Sequence, residues 1–171
     1  MRVDQYCKRE VVAIAGDADV TEAAGLMRDR HVGFLVVFER DDPARRPIGV
    51  LTDRDIVLEV TAPSIDPHAV TVADVMTHDP MMARDSDDLS ELMHGMRMAG
   101  IRRVPVVDAN GALTGVIAVD DMIEVVSLLM EDIAASTKAE QRQEWRARRA
   151  AFSASSQKQA SGESGSTGAS V

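Results

Sequence analysis

The feature that most constrains this chain is an internal repeat. The segment Asp19–Glu39 recurs as Asp88–Asp108 at an offset of 69 residues. Beyond a loop that is three residues longer in the first copy, the offset becomes 66, and Gly49 matches Gly115. Each copy of such a unit must bury an apolar face, so two copies are expected to pack together around a pseudo-twofold axis. We therefore expect the functional site in the groove between the copies rather than within either one.

Each copy has the pattern of a strand, a helix, two strands and a second helix. In the first copy, Asp19 is positioned to cap a helix with Glu22 as its capping-box partner, and the continuous apolar run Phe34–Phe38 is typical of a buried strand. The other predicted segments of this copy are strand Val11–Ile14, strand Ile48–Leu51 and a helix from Thr52. The second copy repeats the order with helix Ser86–Ala99, strands Arg103–Asp108 and Leu113–Val119, and a last helix from about Asp120. The pattern predicts an α/β fold.

Charge is distributed unevenly along the chain. The net charge is −9, but residues 138–171 hold six basic and three acidic residues, a balance of +3. The preceding 137 residues therefore carry −12. An acidic body repels the phosphates of nucleic acids, so we predict no nucleic-acid partner.

The composition predicts a cytoplasmic protein. The longest apolar stretches fall far short of the ~20 residues that span a bilayer, so no membrane association is predicted. The first ten residues have no apolar core of a secretory signal. Cys7 is the single cysteine, so no intrachain disulfide is possible, in agreement with a reducing compartment.

The ordered motifs resemble a known family. The pattern EAAGLM, VGFLVV and GVLTDRDI, followed by VADVMTHDP, IRRVPVVD and GALTGVIAVDDMIE, covers roughly residues 8–130 and resembles a tandem pair of cystathionine-β-synthase-type (CBS) domains of the stand-alone bacterial type. The resemblance implies two β-α-β-β-α repeats packed through their sheets, two clefts that bind adenine nucleotides or related ligands, and pairing into flat homodimers. It divides the chain into repeat 1 (8–62), a linker (63–77), repeat 2 (78–131), a helical extension (132–152) and a disordered tail (153–171).

The ligand motif that the resemblance implies is complete in the first copy. It reads Gly49-Val50-Leu51-Thr52-Asp53-Arg54-Asp55. The carboxylate of Asp55 can accept both ribose hydroxyls, while Thr52, the helix N-terminus and Arg54 suit phosphate oxygens. In a purely structural alternative, Thr52 only caps the helix, and Asp53 and Asp55 complement its dipole. The surrounding repeat favours the ligand role.

The second copy departs from this motif. It keeps Asp121 for ribose but has Ala118 in place of threonine, so this site is expected to be empty, weak or adapted to a ligand with less phosphate. By resemblance, the strand entry Arg102-Arg103-Val104-Pro105 lines the cleft, and the two arginines could neutralise phosphates. Alternatively, one arginine points to solvent and the other pairs with a carboxylate.

Catalysis has little support in the sequence. The four histidines are scattered, no zinc-binding spacing is present, and no serine has a visible base. We predict no enzyme, no catalytic residue and no metal site.

The C-terminal region extends beyond the repeat. Residues Ile123, Val126, Met130 and Ile133 form an apolar stripe at helical spacing, and the helix is expected to continue through Thr137–Phe152. Trp145 lies among four arginines. This helix could dock a partner or an anionic surface, or it could be a solvated helix with Trp145 folded back.

Two functions follow from these patterns. The first is a sensor that binds AMP, ADP or ATP, with NAD or S-adenosylmethionine as possible ligands, and signals to a protein partner through a conformational or dimer change. The second is a dimerisation or partner-docking module with degenerate clefts, acting through the basic C-terminal helix.

Overall fold

The structure, a computed structural model, describes residues 1–162, and the side chains of residues 147 and 150–162 fall outside that description. The chain begins with a 3-10 turn, Val3–Gln5. The first repeat contains β1 (Ala13–Ala15), α1 (Val20–Arg30), β2 (Phe34–Phe38), β3 (Pro47–Thr52) and α2 (Asp53–Ile56), and α2 continues as a π-helical turn, Val57–Thr61. The second repeat contains α3 (Val72–Val75), β4 (Thr77–His78), β5 (Ala83–Arg84), α4 (Leu89–Ala99), β6 (Arg103–Val107), β7 (Leu113–Ala118) and α5 (Val119–Gly162). The predicted α/β class is confirmed.

The two sheets repeat the same register. The strand order is β1-β2-β3-β4 in one sheet and β5-β6-β7 in the other. In the first sheet Phe34 lies opposite Thr52, and in the second Arg103 lies opposite Ala118. An irregularity follows at the same point of each central strand, after Val37 and after Val106. The repetition seen in the sequence is therefore a repetition of backbone geometry.

The first helix of each repeat is capped in the same way. The Asp19 carboxylate accepts from the Glu22 backbone N–H at 2.7 Å, and the Asp88 carboxylate accepts from Glu91 N–H at 3.3 Å. An aspartate at this position satisfies backbone donors that the first helical turn leaves without partners. The predicted N-cap at Asp19 is confirmed.

Each repeat is completed by a segment that precedes the other repeat. The backbone N–H of Val72 donates to the Ala18 carbonyl oxygen at 2.8 Å. At the equivalent place, Val3 N–H donates to the Asp87 carbonyl oxygen at 3.0 Å. Residues 72–77, at the end of the predicted linker 63–77, therefore dock on repeat 1, and residues 3–8 dock on repeat 2. We call residues 3–8 and 72–77 the lead-in segments of repeats 1 and 2.

The apolar core of the first repeat lies between its sheet and helix α1. Leu35, Val37 and Leu51 of the sheet and Met27 of the helix are buried, and Val72 of the lead-in segment joins the same cluster. Met96, the repeat equivalent of Met27, is fully buried in the second repeat. Aliphatic and methionine side chains fill this core, as the low aromatic content predicts.

The chain divides into two compact units, Met1–Ile123 and Glu124–Val171. The second unit is described up to residue 162 as a continuous part of α5. Helix α5 includes the predicted extension 132–152 and continues through residues 153–162, where the sequence predicts a disordered tail; the rest of that predicted tail, 163–171, lies outside the described residues. Among the helices of residues 1–162, none combines the length and apolar character needed to cross a bilayer.

Candidate functional site

A cavity of about 260 Å³ lies within the unit Met1–Ile123 and takes its walls from both repeats. Its apolar surface comes mostly from valine side chains and Phe34, and its rim carries charged groups. The lining residues are Lys8, Glu10, Val11, Val12, His31, Val32, Gly33, Phe34, Arg103, Val116, Ala118, Asp120 and Asp121. A small apolar cavity with a few convergent polar groups is the usual form of a small-molecule site.

Asp121 presents its carboxylate to this cavity beside an ammonium group. The Lys8 Nζ lies 2.6 Å from Asp121 Oδ1, and the Asp121 side chain is only 18% exposed. Lys8 reaches this point because its backbone pairs with Val116 of β7, with N–H to oxygen distances of 2.9 Å in both directions. The ion pair holds the carboxylate in place while leaving its second oxygen for other donors.

The two adjacent arginines meet a single carboxylate. Arg102 donates to Asp120 Oδ1 at 2.7 Å, and an Arg103 guanidinium nitrogen lies 3.9 Å from Asp120 Oδ2. The hydrogen bond from Arg102 and the charges of both arginines hold the pKa of Asp120 below its ordinary value. Both arginines thus have Asp120 as a neighbour within the chain, whereas the simpler interpretation had one of the two pointing to solvent.

The remaining predicted residues of this strand are buried and do not form part of the cavity wall. Val104 and Pro105 are buried in β6 and are not among the lining residues. Their contribution is to hold Arg103, the first residue of the strand, at the cavity. Arg103 and Asp121 are therefore the predicted site residues that line this cavity.

Thr52 and Asp55 form a reciprocal capping box at the start of α2. Thr52 Oγ1 donates to Asp55 Oδ2 at 2.7 Å and accepts from the Asp55 backbone N–H at 3.1 Å. The same carboxylate oxygen accepts from the Thr52 N–H at 2.8 Å. This arrangement matches the structural alternative for the motif, in which the hydroxyl caps a helix, and it leaves the other oxygen of Asp55 outside the box.

Asp53 and Arg54 complete the first motif. The Asp53 backbone N–H donates to the Gly33 carbonyl oxygen at 3.2 Å, and a Cβ built on Gly33 would lie 2.6 Å from Asp53 Oδ2. A side chain at Gly33 would therefore displace the Asp53 carboxylate from this position. The Arg54 side chain is exposed.

The first motif is the repeat equivalent of the part of the cavity wall that Ala118, Asp120 and Asp121 form. By the offset of 66, Ala118 corresponds to Thr52 and Asp121 to Asp55, whereas Asp120 corresponds to Arg54. The structure thus has two related half-sites. The one built around Asp121 has the cavity described above.

Four titratable lining residues were not among the predicted site residues: Lys8, Glu10, His31 and Asp120. For Lys8, the missed signal was the extent of the repeat, which begins at Val3 and Val72 rather than near residue 8. His31 adopts left-handed backbone geometry with φ 54°, and its repeat equivalent is Gly100. Within the described part of the chain, no group of three or more histidine, cysteine, aspartate or glutamate side chains is arranged to hold a metal ion.

Comparison with protein families agrees with this architecture. The family model for the CBS domain matches residues 3–62 and again residues 72–128. The two matches begin close to the lead-in segments that the structure shows to be equivalent. The uncharacterized protein MK0525 of Methanopyrus kandleri is 30% identical over 131 residues, which cover 77% of this chain and 65% of that protein. The chain therefore spans less than two thirds of that relative.

Two solved structures have a similar fold. The CBS domain protein PAE2072 of Pyrobaculum aerophilum, complexed with AMP, is 30% identical with a TM-score of 0.68, covering 77% of this chain and 97% of that one. The hexameric CBS-CP12 protein from bloom-forming cyanobacteria is 25% identical with a TM-score of 0.64. That alignment covers 95% of this chain and 99% of the cyanobacterial one.

Proposed function

The chain belongs to the CBS domain family, and on that premise we propose that it is a regulatory module that binds an adenosyl ligand between its repeats and signals through a conformational or dimer change. The observation that carries the proposal is the Asp121 carboxylate, which Lys8 holds at the wall of a cavity formed by both repeats. AMP is bound by the related protein PAE2072, which supports an adenine nucleotide or a relative of one as the ligand class.

The cavity provides the two surfaces that a nucleoside needs. A carboxylate accepts hydrogen bonds from both hydroxyls of a ribose, so Asp121 is assigned that role. Val11, Val12 and Phe34 present apolar surface suited to the faces of a purine ring. Arg103 lies at the rim, where it can meet a polar substituent of the ligand.

The first motif is proposed as the related second half-site. Asp55 there keeps one carboxylate oxygen outside its capping box, and Thr52 and Arg54 provide a hydroxyl and a charge for a phosphate. Arg102, Val104 and Pro105 belong to the strand entry that the family resemblance places against the ligand. Asp53 would support this half-site through its contact with Gly33.

The signal is proposed to start from the chain segments that the ligand joins. Lys8 is the last residue of the lead-in that docks on repeat 2, His31 ends the first helix of repeat 1, and Asp121 lies in the first turn of α5. A ligand that binds all three favours the arrangement in which they lie close together. The ligand shifts the equilibrium between the two arrangements only by the difference between its affinities for them.

A thermal-shift titration tests this function. The full chain is titrated with AMP, ADP, ATP, NAD and S-adenosylmethionine, alongside the variants Asp121→Asn and Asp55→Asn. A ligand at about 100 times its dissociation constant adds about 2.7 kcal/mol of stability, which raises the melting temperature of a chain of this size by several degrees. We expect a shift in the wild-type chain that at least one of the two variants loses.

The exposed Glu59, which does not line the cavity, supplies the control. Its variant Glu59→Gln also removes one negative charge and should keep the full shift. If none of the five ligands shifts the wild-type melting temperature, the sensor function proposed here is wrong.

A second candidate function rests on α5. Val126, Leu129, Met130 and Ile133 follow one another at three- and four-residue spacing and are 54%, 48%, 66% and 68% exposed. Exposed apolar surface of this kind marks interaction sites. Further along the helix, Trp145 is 61% exposed, and the Arg149 guanidinium lies 5.1 Å above its ring. We propose dimerisation or partner docking through this helix as the alternative to ligand sensing.

Sedimentation velocity over a range of protein concentrations tests the alternative. Under this alternative, the double change Met130→Glu and Ile133→Glu abolishes any dimer, while Glu131→Gln, on the other side of the helix from the stripe, leaves it intact. An unchanged sedimentation coefficient in the double variant would exclude the stripe as the dimer contact.

A further inference from the structure

We propose that the cavity at Asp121 selects against phosphate charge, so that it takes an adenosyl ligand with no phosphate or one phosphate, or with a cationic substituent, and rejects nucleoside di- and triphosphates. This inference rests on the proposed function and names the ligand class for one of its two half-sites. It follows from the charges, hydrogen-bond donors and size of the cavity.

The cavity has no surplus of positive charge. Its lining includes two permanent cations, Lys8 and Arg103, and three carboxylates, Glu10, Asp120 and Asp121. The balance of these five groups is −1. Arg102, which pairs with Asp120 from outside the lining, brings the balance only to zero. A triphosphate would add several negative charges to a site with no net charge to oppose them.

The cations of the cavity already have carboxylate partners. Lys8 contacts Asp121 at 2.6 Å, and Arg103 lies 3.9 Å from Asp120. A phosphate that approaches either cation also approaches the carboxylate beside it, so its attraction to the cation is offset by repulsion from the carboxylate. A neutral ribose meets no such repulsion, because its hydroxyls donate hydrogen bonds to the carboxylate.

The other usual donors to phosphate are missing or occupied at this half-site. Ala118 stands where the first motif has Thr52, so no hydroxyl is available there. The first turn of α5 carries Asp120 and Asp121, whose charges complement the positive end of the helix dipole. The first motif has Arg54 in place of Asp120, and this reversal of charge makes the two half-sites electrostatically different.

The size of the cavity favours a compact ligand. Its volume of about 260 Å³ lies below the range of roughly 300–1,000 Å³ that is typical of small-molecule pockets. A nucleoside or a nucleoside with a small substituent suits this space better than a dinucleotide such as NAD.

Isothermal titration calorimetry with adenosine, AMP and ATP tests the inference on the full chain. The titrations are made without divalent cations, which would neutralise the phosphates, and at two salt concentrations. We expect adenosine to bind about tenfold or more tightly than ATP at the site that Asp121→Asn removes, with a smaller gap at high salt because screening weakens the repulsion. Glu10→Gln should tighten ATP several-fold more than it changes adenosine, and Glu59→Gln should change neither.

The possible outcomes separate this inference from the proposed function. ATP binding as tight as adenosine binding, and lost in Asp121→Asn, would overturn the selectivity while leaving an adenosyl site in place. Binding of all three probes that is lost only in Asp55→Asn would move the site to the first motif and also overturn the inference. Failure of every probe to bind the wild-type chain would refute both the inference and the function on which it rests.

Discussion

His31 occupies a backbone conformation that suits glycine, and we predict that His31→Gly stabilises the protein. Both repeats end their first helix in the same way. The N–H groups of His31 and Val32 donate to carbonyl oxygens of α1 at 3.3 and 3.0 Å, and the N–H groups of Gly100 and Ile101 donate to those of α4 at 3.3 and 3.1 Å. The backbone φ is 54° at His31 and 68° at Gly100. The two repeats thus place different residues in one left-handed position.

The magnitude follows from two opposing effects. A side chain in the left-handed region costs about 1–2 kcal/mol, which glycine avoids. Glycine also gains more freedom on unfolding, which costs the folded state roughly 0.5–1 kcal/mol. The net expectation for His31→Gly is a stabilisation of about 0.5–1 kcal/mol. The reciprocal change Gly100→Ala should destabilise the protein by a similar amount. No atom lies within 4 Å of a Cβ at Gly100, so only these two backbone effects, with their signs reversed, change the stability.

Urea denaturation in the absence of ligand measures both variants, and thermal unfolding provides a second estimate. A difference of 1 kcal/mol corresponds to about 2–4 °C in melting temperature for a chain of this size. If His31→Gly lowered the unfolding free energy, the imidazole would have to make contacts that outweigh its backbone strain, and the reasoning above would be refuted. Opposite signs for the two variants would support it.

Three further outcomes are expected. Gly115→Ala should destabilise by about 1–3 kcal/mol in urea denaturation, because its Cβ would lie 2.8 Å from Cys7 Sγ; a neutral result would show that the lead-in segment moves away easily. Met96→Ala, at a fully buried position, should cost about 2–5 kcal/mol in the same assay, and a loss below 1 kcal/mol would mean that the core refills. Hydrogen bonds from Thr71 hold the pKa of Asp74 below its ordinary 3.8, and the Asp88 pKa is likewise lowered by the N-terminal ammonium. The folded state therefore binds fewer protons than the unfolded one near these pKa values, and stability should fall as the pH drops from about 4; an unfolding midpoint that stays constant from pH 5 to pH 3 would contradict this.

The sequence was sufficient to predict the elements whose signals are local. The apolar run Phe34–Phe38 is a strand with those bounds, and Asp19 caps the helix that it precedes. Both features depend on side chains within a few residues of one another. The repeat then allowed the second half to be predicted from the first, since Asp88 caps α4 as Asp19 caps α1.

The crossing of the lead-in segments could not be predicted in the same way. Residues Val3–Lys8 and Val72–Thr77 share little beyond their first valine, and backbone hydrogen bonds are one part of what holds each on the opposite repeat. Such bonds place few demands on side chains and leave a weak sequence signal. Lys8 was therefore missed as a cavity residue, although its position follows directly from this pairing.

The same crossing explains why the ligand motif of each copy begins with glycine. A Cβ on Gly49 would overlap the Met76 side chain and lie 3.0 Å from the Thr77 carbonyl oxygen. A Cβ on Gly115 would lie 2.9 Å from the carbonyl oxygen of Lys8, the repeat equivalent of Thr77. The glycine is needed because the lead-in of the other repeat passes over it. Each half-site is consequently built from one copy's motif and the other copy's lead-in, and neither repeat alone could form the pair of Lys8 and Asp121.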